Sequence, residues 1–310
     1  MKVKWQGVYP AITTKFTAED KLDMPMFEKN IRFQIKAGVE GIILGGSLGE
    51  TTTLTDEEKD VLTKSTLELA NGEIPVIMNI AEQATKKAIR QAQRAEYNKA
   101  DGLMLLPPMR YKATDQETVE YFKAIANSTS LPIMIYNNPV DYKILVTLDM
   151  FDQLAKCNNI QAVKESSRDL TNITRMKNRF GDRYRIMGGV DTIALESILM
   201  GADGLVAGLV CAFPRETVAI YKLAKAKKYD EALRIVRWFM PLCELDIDPQ
   251  LVQNIKLAEV YTGLGTEHVR LPRLKLSGKR REEVIKVIED CLATRPELPD
   301  YLNLEITSTY

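Results

Sequence analysis

Ile160-Gln-Ala-Val-Lys164-Glu-Ser-Ser167 reads as a short buried strand with a lysine near its C-terminal end. A strand covered on both faces is almost continuously apolar. An ammonium placed there costs several kcal/mol unless it is paired or loses its proton. A lysine whose proton is weakened in this way is the usual nucleophile for carbonyl compounds, through a Schiff base. The competing reading is a lysine stem that snorkels from the strand end and carries no chemistry. The choice depends on what the rest of the chain brings to that strand end.

Working outward, the segment is the sixth of eight short apolar runs, at 7–13, 41–45, 75–80, 102–106, 132–136, 160–164, 184–188 and 204–208. Amphipathic, helix-like stretches separate them, at 24–37, 56–70, 85–97, 115–128, 148–156, 170–180 and 192–200. Thr55 with Glu58, and Thr114 with Glu117, have the spacing of capping boxes, and Thr147 opens another helix with an early acid. Glycines at 38, 41, 102, 181, 201 and 204 punctuate helix ends and strand starts. Eight βα units in unbroken rhythm predict an α/β fold, a (β/α)8 TIM barrel. A doubly wound sheet is the alternative, but no G-x-G-x-x-G follows the first strand. Beyond Gly208 the periodicity is helical only, at 215–225, 229–245, 249–262 and 280–292. The expected division is therefore a barrel core over 1–213 that carries the active site. Residues 214–310 supply the last barrel helix, an added C-terminal helical layer and a tail that forms a surface strap or is partly disordered.

Composition narrows the function. Apolar residues make up 45% of the 310, enough for a large core. Forty-two basic residues balance 42 acidic ones, with no basic stripe, so a nucleic-acid partner is not expected. Cys157, Cys211, Cys243 and Cys291 are widely spaced and form no C-x-x-C pair, the pattern of reduced thiols rather than a disulfide frame or zinc site. The N-terminus lacks a signal-peptide apolar stretch, and no run approaches the roughly 18 apolar residues of a membrane helix. A soluble cytoplasmic protein without a membrane partner is expected.

In a barrel of this kind the active site lies at the C-terminal ends of the strands. Strand two ends in Gly45-Gly-Ser47-Leu48-Gly-Glu50, strand five in Tyr136-Asn-Asn-Pro, strand six in Lys164-Glu-Ser166-Ser, and strand seven in Gly188-Gly189-Val-Asp191. All four project into one cup. The glycine-rich turn offers backbone N–H groups as a nest for a carboxylate, with the Ser47 hydroxyl beside them, or it is an ordinary strand-to-helix turn. Tyr136 suits proton transfer, or is a core tyrosine with a satisfied hydroxyl. Glu50 reads as structural, bonding amides of the turn. The lone histidine, His268, lies far along the C-terminal region, which argues against a His-based triad or a histidine-ligated metal.

These motifs resemble those of the dihydrodipicolinate synthase / N-acetylneuraminate lyase family of class I, Schiff-base aldolases and dehydratases, over about residues 7–292. Gly46-Ser-Leu-Gly-Glu is similar to the family's G-T/S-T-G-E loop, Tyr136-Asn-Asn-Pro to its Y-N-x-P, and Val163-Lys-Glu-Ser-Ser to its lysine strand. The resemblance implies that Lys164 is the Schiff-base lysine, Tyr136 the acid–base residue over the imine, and Ser47 its hydroxyl partner. It also implies that the Ser47–Leu48 amides hold a substrate carboxylate, that Ser166, Gly189, Asp191 and Val206 line the pocket, that neither metal nor organic cofactor is needed, and that the chain forms a homotetramer.

The chain also departs from the family pattern. The loop's second hydroxyl residue is Leu48, Asp141 stands where the synthases place an arginine for the acceptor's carboxylate, and Arg110, beside Tyr111, replaces the neighbouring subunit's relay tyrosine. A closer resemblance is to the branch acting in hydroxyproline breakdown, the 1-pyrroline-4-hydroxy-2-carboxylate deaminases. It is carried by Gly7-Val-Tyr-Pro-Ala-Ile-Thr-Thr, Tyr136-Asn-Asn-Pro-Val-Asp-Tyr-Lys, Met240-Pro-Leu-Cys-Glu-Leu-Asp, Pro249-Gln-Leu-Val-Gln-Asn-Ile-Lys-Leu and Leu271-Pro-Arg-Leu. The expected reaction is thus deamination to 2-oxoglutarate semialdehyde. Competing readings are 4-hydroxy-tetrahydrodipicolinate synthase, N-acetylneuraminate lyase or 2-keto-3-deoxy sugar acid aldolase/dehydratase on the same scaffold, or a barrel that has become a small-molecule sensor.

Overall fold

The computed structural model describes residues 3–108, 111–304 and 306. Eight strands form its centre: β1 (Gly7–Pro10), β2 (Ile42–Leu44), β3 (Val76–Ile80), β4 (Gly102–Leu105), β5 (Ile133–Asn137), β6 (Ile160–Glu165), β7 (Arg185–Gly188) and β8 (Gly204–Ala207). They pair in parallel in the order β1-β8-β7-β6-β5-β4-β3-β2. A parallel bridge between Ala11 and Ile43, with the Ile12 amide donating to the Ile43 carbonyl at 2.9 Å, joins the ends into a barrel. β3 and β4 are buried at every residue, as strands are when helices cover one face and side chains fill the other. At the strand starts Trp5 closes the barrel floor, its indole N–H donating to Gln161 Oε1 at 3.2 Å.

The helices outside the barrel are α1 (Met24–Ala37), α2 (Asp56–Ala70), α3 (Thr85–Tyr97), α4 (Asp115–Ala126), α5 (Pro139–Tyr142), α6 (Leu148–Leu154), α7 (Thr171–Phe180), α8 (Ala194–Leu199) and α9 (Pro214–Lys225). Both expected capping boxes form: Thr55 and Thr114 accept from the amides of Glu58 and Glu117, whose carboxylates accept from the cap amides in return. The one-turn α5 was not expected. Pro139 supplies its first φ and Asn138 caps it, Oδ1 accepting from the Asp141 amide at 3.2 Å.

The added layer is α10 (Tyr229–Cys243), α11 (Leu251–Thr262) and α12 (Gly278–Ala293). α11 is fastened to the C-terminal face of the barrel by two fully buried ion pairs, Lys256 to Glu50 at 2.5 Å and Lys15 to Glu259 at 2.7 Å. Glu50 also accepts the Arg270 amide at 3.0 Å, so it anchors the glycine-rich turn to the C-terminal layer rather than to the turn's own amides. The tail is a strap as far as residue 304: Tyr301 is buried and donates to the Ala37 carbonyl at 3.2 Å. No described helix is long and apolar enough to cross a membrane.

Candidate active site

The strand ends surround a cavity of about 220 Å³. Register sets its centre. Tyr136 on β5 is the Cα partner of Lys164 on β6, so both side chains leave the barrel at one level. Lys164 is buried, and its Nζ lies 4.0 Å from the centroid of the Tyr136 ring. It makes no hydrogen bond or ion pair among the described residues. Burial pulls its ammonium below the ordinary lysine range, while Tyr142, Asp246, Asp191 and Asp141 oppose that shift. The snorkelling reading therefore fails: the amine is inside the cup and without a counter-ion at contact distance. The next residue, Glu165, points to the opposite side, as strand alternation requires, and accepts from Asn137, Asn172 and the Ser167 amide.

Gly189 shows why a glycine follows β7. A Cβ there would stand 2.1 Å from Ser166 Oγ and 2.7 Å from Lys164 Cγ and Cε, so the lysine stem runs in the space a side chain would take. Ser166 fixes the edge of that channel by donating to the Gly189 carbonyl at 3.0 Å. Val206 on β8 lines the same cavity, as does Leu48, both buried. In the glycine-rich turn Gly45 and Glu50 take left-handed backbone, and the Ser47 and Leu48 amides donate to no described protein group. Two free N–H groups at the cavity rim suit a carboxylate.

The structure corrects the partner expected for Ser47. Its hydroxyl is not bonded to Tyr136; it lies 2.8 Å from the hydroxyl of Tyr142. α5 folds back over the end of β5 and carries Tyr142 there, edge-on to Tyr136 with centroids 5.4 Å apart. Tyr136 instead accepts from Asn138 Nδ2 at 3.2 Å, and burial pushes its phenol up to about 12. Burial raises Tyr142 as well. Tyr111 is 58% exposed and outside the cavity, and Arg110 lies outside the described residues.

Three carboxyl groups reach the cavity from separate segments. Asp141 accepts from Asn138 Nδ2 at 2.7 Å. Asp191 accepts from the Gly208 and Leu209 amides at 3.1 and 2.8 Å, which makes it a clamp on the turn after β8. Asp246 belongs to the short 3-10 turn after α10 and was missed by sequence reasoning, as was Tyr142. The site is thus not confined to residues 1–213, since Asp246, Ile247 and Leu251 line it too. No three His, Cys, Asp or Glu side chains among the described residues are grouped as ion ligands. Arg168 also lines the cavity, in left-handed backbone (φ 65°) and without a described ion pair.

Residues 4–291 match the model of the dihydrodipicolinate synthetase family. The 4-hydroxy-tetrahydrodipicolinate synthase of Exiguobacterium sibiricum is 32% identical over 276 residues, covering 88% of this chain and 93% of that one. The structure of the same-named enzyme from Methylacidiphilum fumariolicum SolV superposes with a TM-score of 0.87 at 28% identity, over 93% of this chain and 97% of that one. The chloride-inhibited dihydrodipicolinate synthase of Acinetobacter baumannii, complexed with pyruvate, gives 0.88 at 26% identity, over 93% and 99% of the two chains.

Proposed function

This chain belongs to the dihydrodipicolinate synthetase family, and from that premise we propose that it is a class I lyase in which Lys164 forms an imine with the C2 carbonyl of a 2-oxo acid. The observation that carries the reading is a buried amine without a counter-ion, 4.0 Å from the Tyr136 ring and beside the free amides of the Ser47 turn. The neutral amine attacks C2 and water leaves. The iminium so formed draws electrons from C3 and acidifies its C–H. Tyr136 stands over the imine. The Ser47–Tyr142 hydroxyl pair offers a second path for the C3 proton, and the Ser47 and Leu48 amides hold the C1 carboxylate. Borohydride added with pyruvate should leave a reduced adduct on Lys164, read by peptide mass. An unmodified Lys164, or adduct formation that persists in Lys164→Ala, refutes the assignment.

The names of the relatives favour condensation of pyruvate with an aldehyde, as in 4-hydroxy-tetrahydrodipicolinate synthase. One feature of the cavity favours a second reading, the deamination of 1-pyrroline-4-hydroxy-2-carboxylate. Asp141 lines the cavity where, by the family resemblance, the synthases place an arginine, and an acidic side chain there disfavours the carboxylate of aspartate semialdehyde. Turnover of a panel distinguishes them: pyruvate with aspartate semialdehyde, the hydroxy-pyrroline, N-acetylneuraminate and 2-keto-3-deoxy sugar acids. Assembly into a homotetramer belongs to the same proposal and rests on the family resemblance.

A further inference from the structure

Asp246 differs from the other carboxyls of the cavity. Asp141 and Asp191 have hydrogen-bond donors, whereas Asp246 has none among the described residues. Its carboxyl nevertheless lies at a defined place in the cavity wall. A Cβ on Gly208 would stand 2.4 Å from Asp246 Oδ1 and 3.0 Å from Leu48 Cδ1, so the carboxyl packs directly over Gly208, level with the side chain of the carboxylate-holding turn. A carboxyl that lines the cavity and lacks a protein donor is open to a hydrogen bond from what occupies the cavity.

We propose that Asp246 is the acid that serves the oxygen on C4 of the substrate. The inference rests on the imine at Lys164, and it covers condensation and elimination, with cleavage using Asp246 in reverse as the carboxylate that takes the C4 hydroxyl proton. In condensation, the enamine C2=C3 pair forms the C3–C4 bond, the aldehyde C=O pair moves to oxygen, and the Asp246 proton converts that oxygen to the C4 hydroxyl. In elimination, the same enamine pair forms C3=C4, the C4–O bond breaks, and the Asp246 proton leaves with the oxygen as water. Both routes regenerate the iminium at C2 and leave Asp246 as a carboxylate, to be reprotonated from solvent.

The surrounding charges agree. Burial raises the Asp246 carboxyl well above the ordinary range and neighbouring Asp191 adds to the shift, with Asp141 acting the same way and Lys164 and Arg168 opposing. The Asp246 charge in turn raises the Tyr136 phenol and the Cys243 thiol. Asp191 keeps two amide donors to stabilise its charge, whereas Asp246 lacks any and holds its proton more readily. A carboxyl whose hold on its proton is strengthened in this way suits a donating role in this step.

Pyruvate provides the test because it lacks C4. In Asp246→Asn, borohydride trapping with pyruvate and exchange of the pyruvate C3 protons in D2O should stay within about threefold of wild type. Turnover of the panel substrates should fall by about 100-fold or more, the range for loss of a general acid. For condensation or elimination the wild-type rate should also decline as pH rises through the Asp246 pKa, and Asp246→Asn should lack that decline. Turnover within threefold of wild type overturns the proposal. So does pyruvate exchange that falls as far as turnover, because Asp246 would then act on Lys164 or Tyr136. A wild-type chain that is trapped by pyruvate yet transforms no panel substrate overturns it as well. Failure of trapping in the wild type refutes the lysine assignment instead.

Discussion

In the proposed imine chemistry Lys164 supplies the amine, and Gly189 leaves the empty space through which its stem extends. Gly189→Ala places a methyl 2.1 Å from Ser166 Oγ and 2.7 Å from two carbons of the lysine stem. Displacing a reacting group by about 1 Å costs on the order of 100-fold. The variant should therefore lose about that much in the rate of adduct formation with pyruvate, while far-UV circular dichroism stays that of a folded barrel. Normal trapping would show that the stem has another route. Lys164, Tyr136 and Ser47 are legible in the sequence because each breaks a local rule: a charge, a phenol or a glycine-flanked hydroxyl at the end of an apolar run. Tyr142 and Asp246 break none. One is an ordinary residue of a connecting segment and the other follows an amphipathic helix, and only the folding of distant segments onto the cavity gives them significance.

Among the elements, those with a complete local signal form where periodicity places them. The helices opened by Thr55 and Thr114 start where expected because a capping box lies within a few residues of sequence. α5 lacks such a signal: four residues are too few to show a period, and Pro139 reads equally as a turn. Yet this turn rearranges the site, since it brings Tyr142 to Ser47 within a single chain. Tyr142→Phe keeps the ring packed edge-on to Tyr136 and removes only the hydroxyl. Exchange of the pyruvate C3 protons should slow by about tenfold to 100-fold, the lower part of the range for a proton-transfer group and short of it. Borohydride trapping should persist, because imine formation does not draw on that hydroxyl. Wild-type exchange in this variant would place the proton path through Tyr136 alone.

At the scale of the whole molecule, the barrel was legible from rhythm alone, but the role of the C-terminal layer was not. Helical periodicity shows that α10, α11 and α12 exist; it does not show which face of the barrel they cover. The placement of α11 is marked by charge. Lys256 and Glu259 on α11 meet Glu50 and Lys15 of the barrel, and all four side chains are fully buried. Removing one partner of such a pair leaves a charge in low dielectric and costs about 3–5 kcal/mol. Lys256→Met should accordingly lower the free energy of unfolding in urea by about that amount. It should also weaken carboxylate binding, since Glu50 no longer fastens the Ser47–Leu48 turn. A loss below 1 kcal/mol would mean that Arg270 and Arg273 suffice for Glu50.

These pairs also have a consequence for the order of events at the ribosome. Lys15 and Glu50 are made well before their partners, which follow 244 and 206 residues later. Until α11 emerges, a barrel with all eight strands would hold two naked charges where its final structure is driest, and its cavity would lack Asp246 until the turn after α10 has formed. The cup around Lys164 therefore cannot be completed on a nascent chain until the segments that carry Asp246 and α11 have been made.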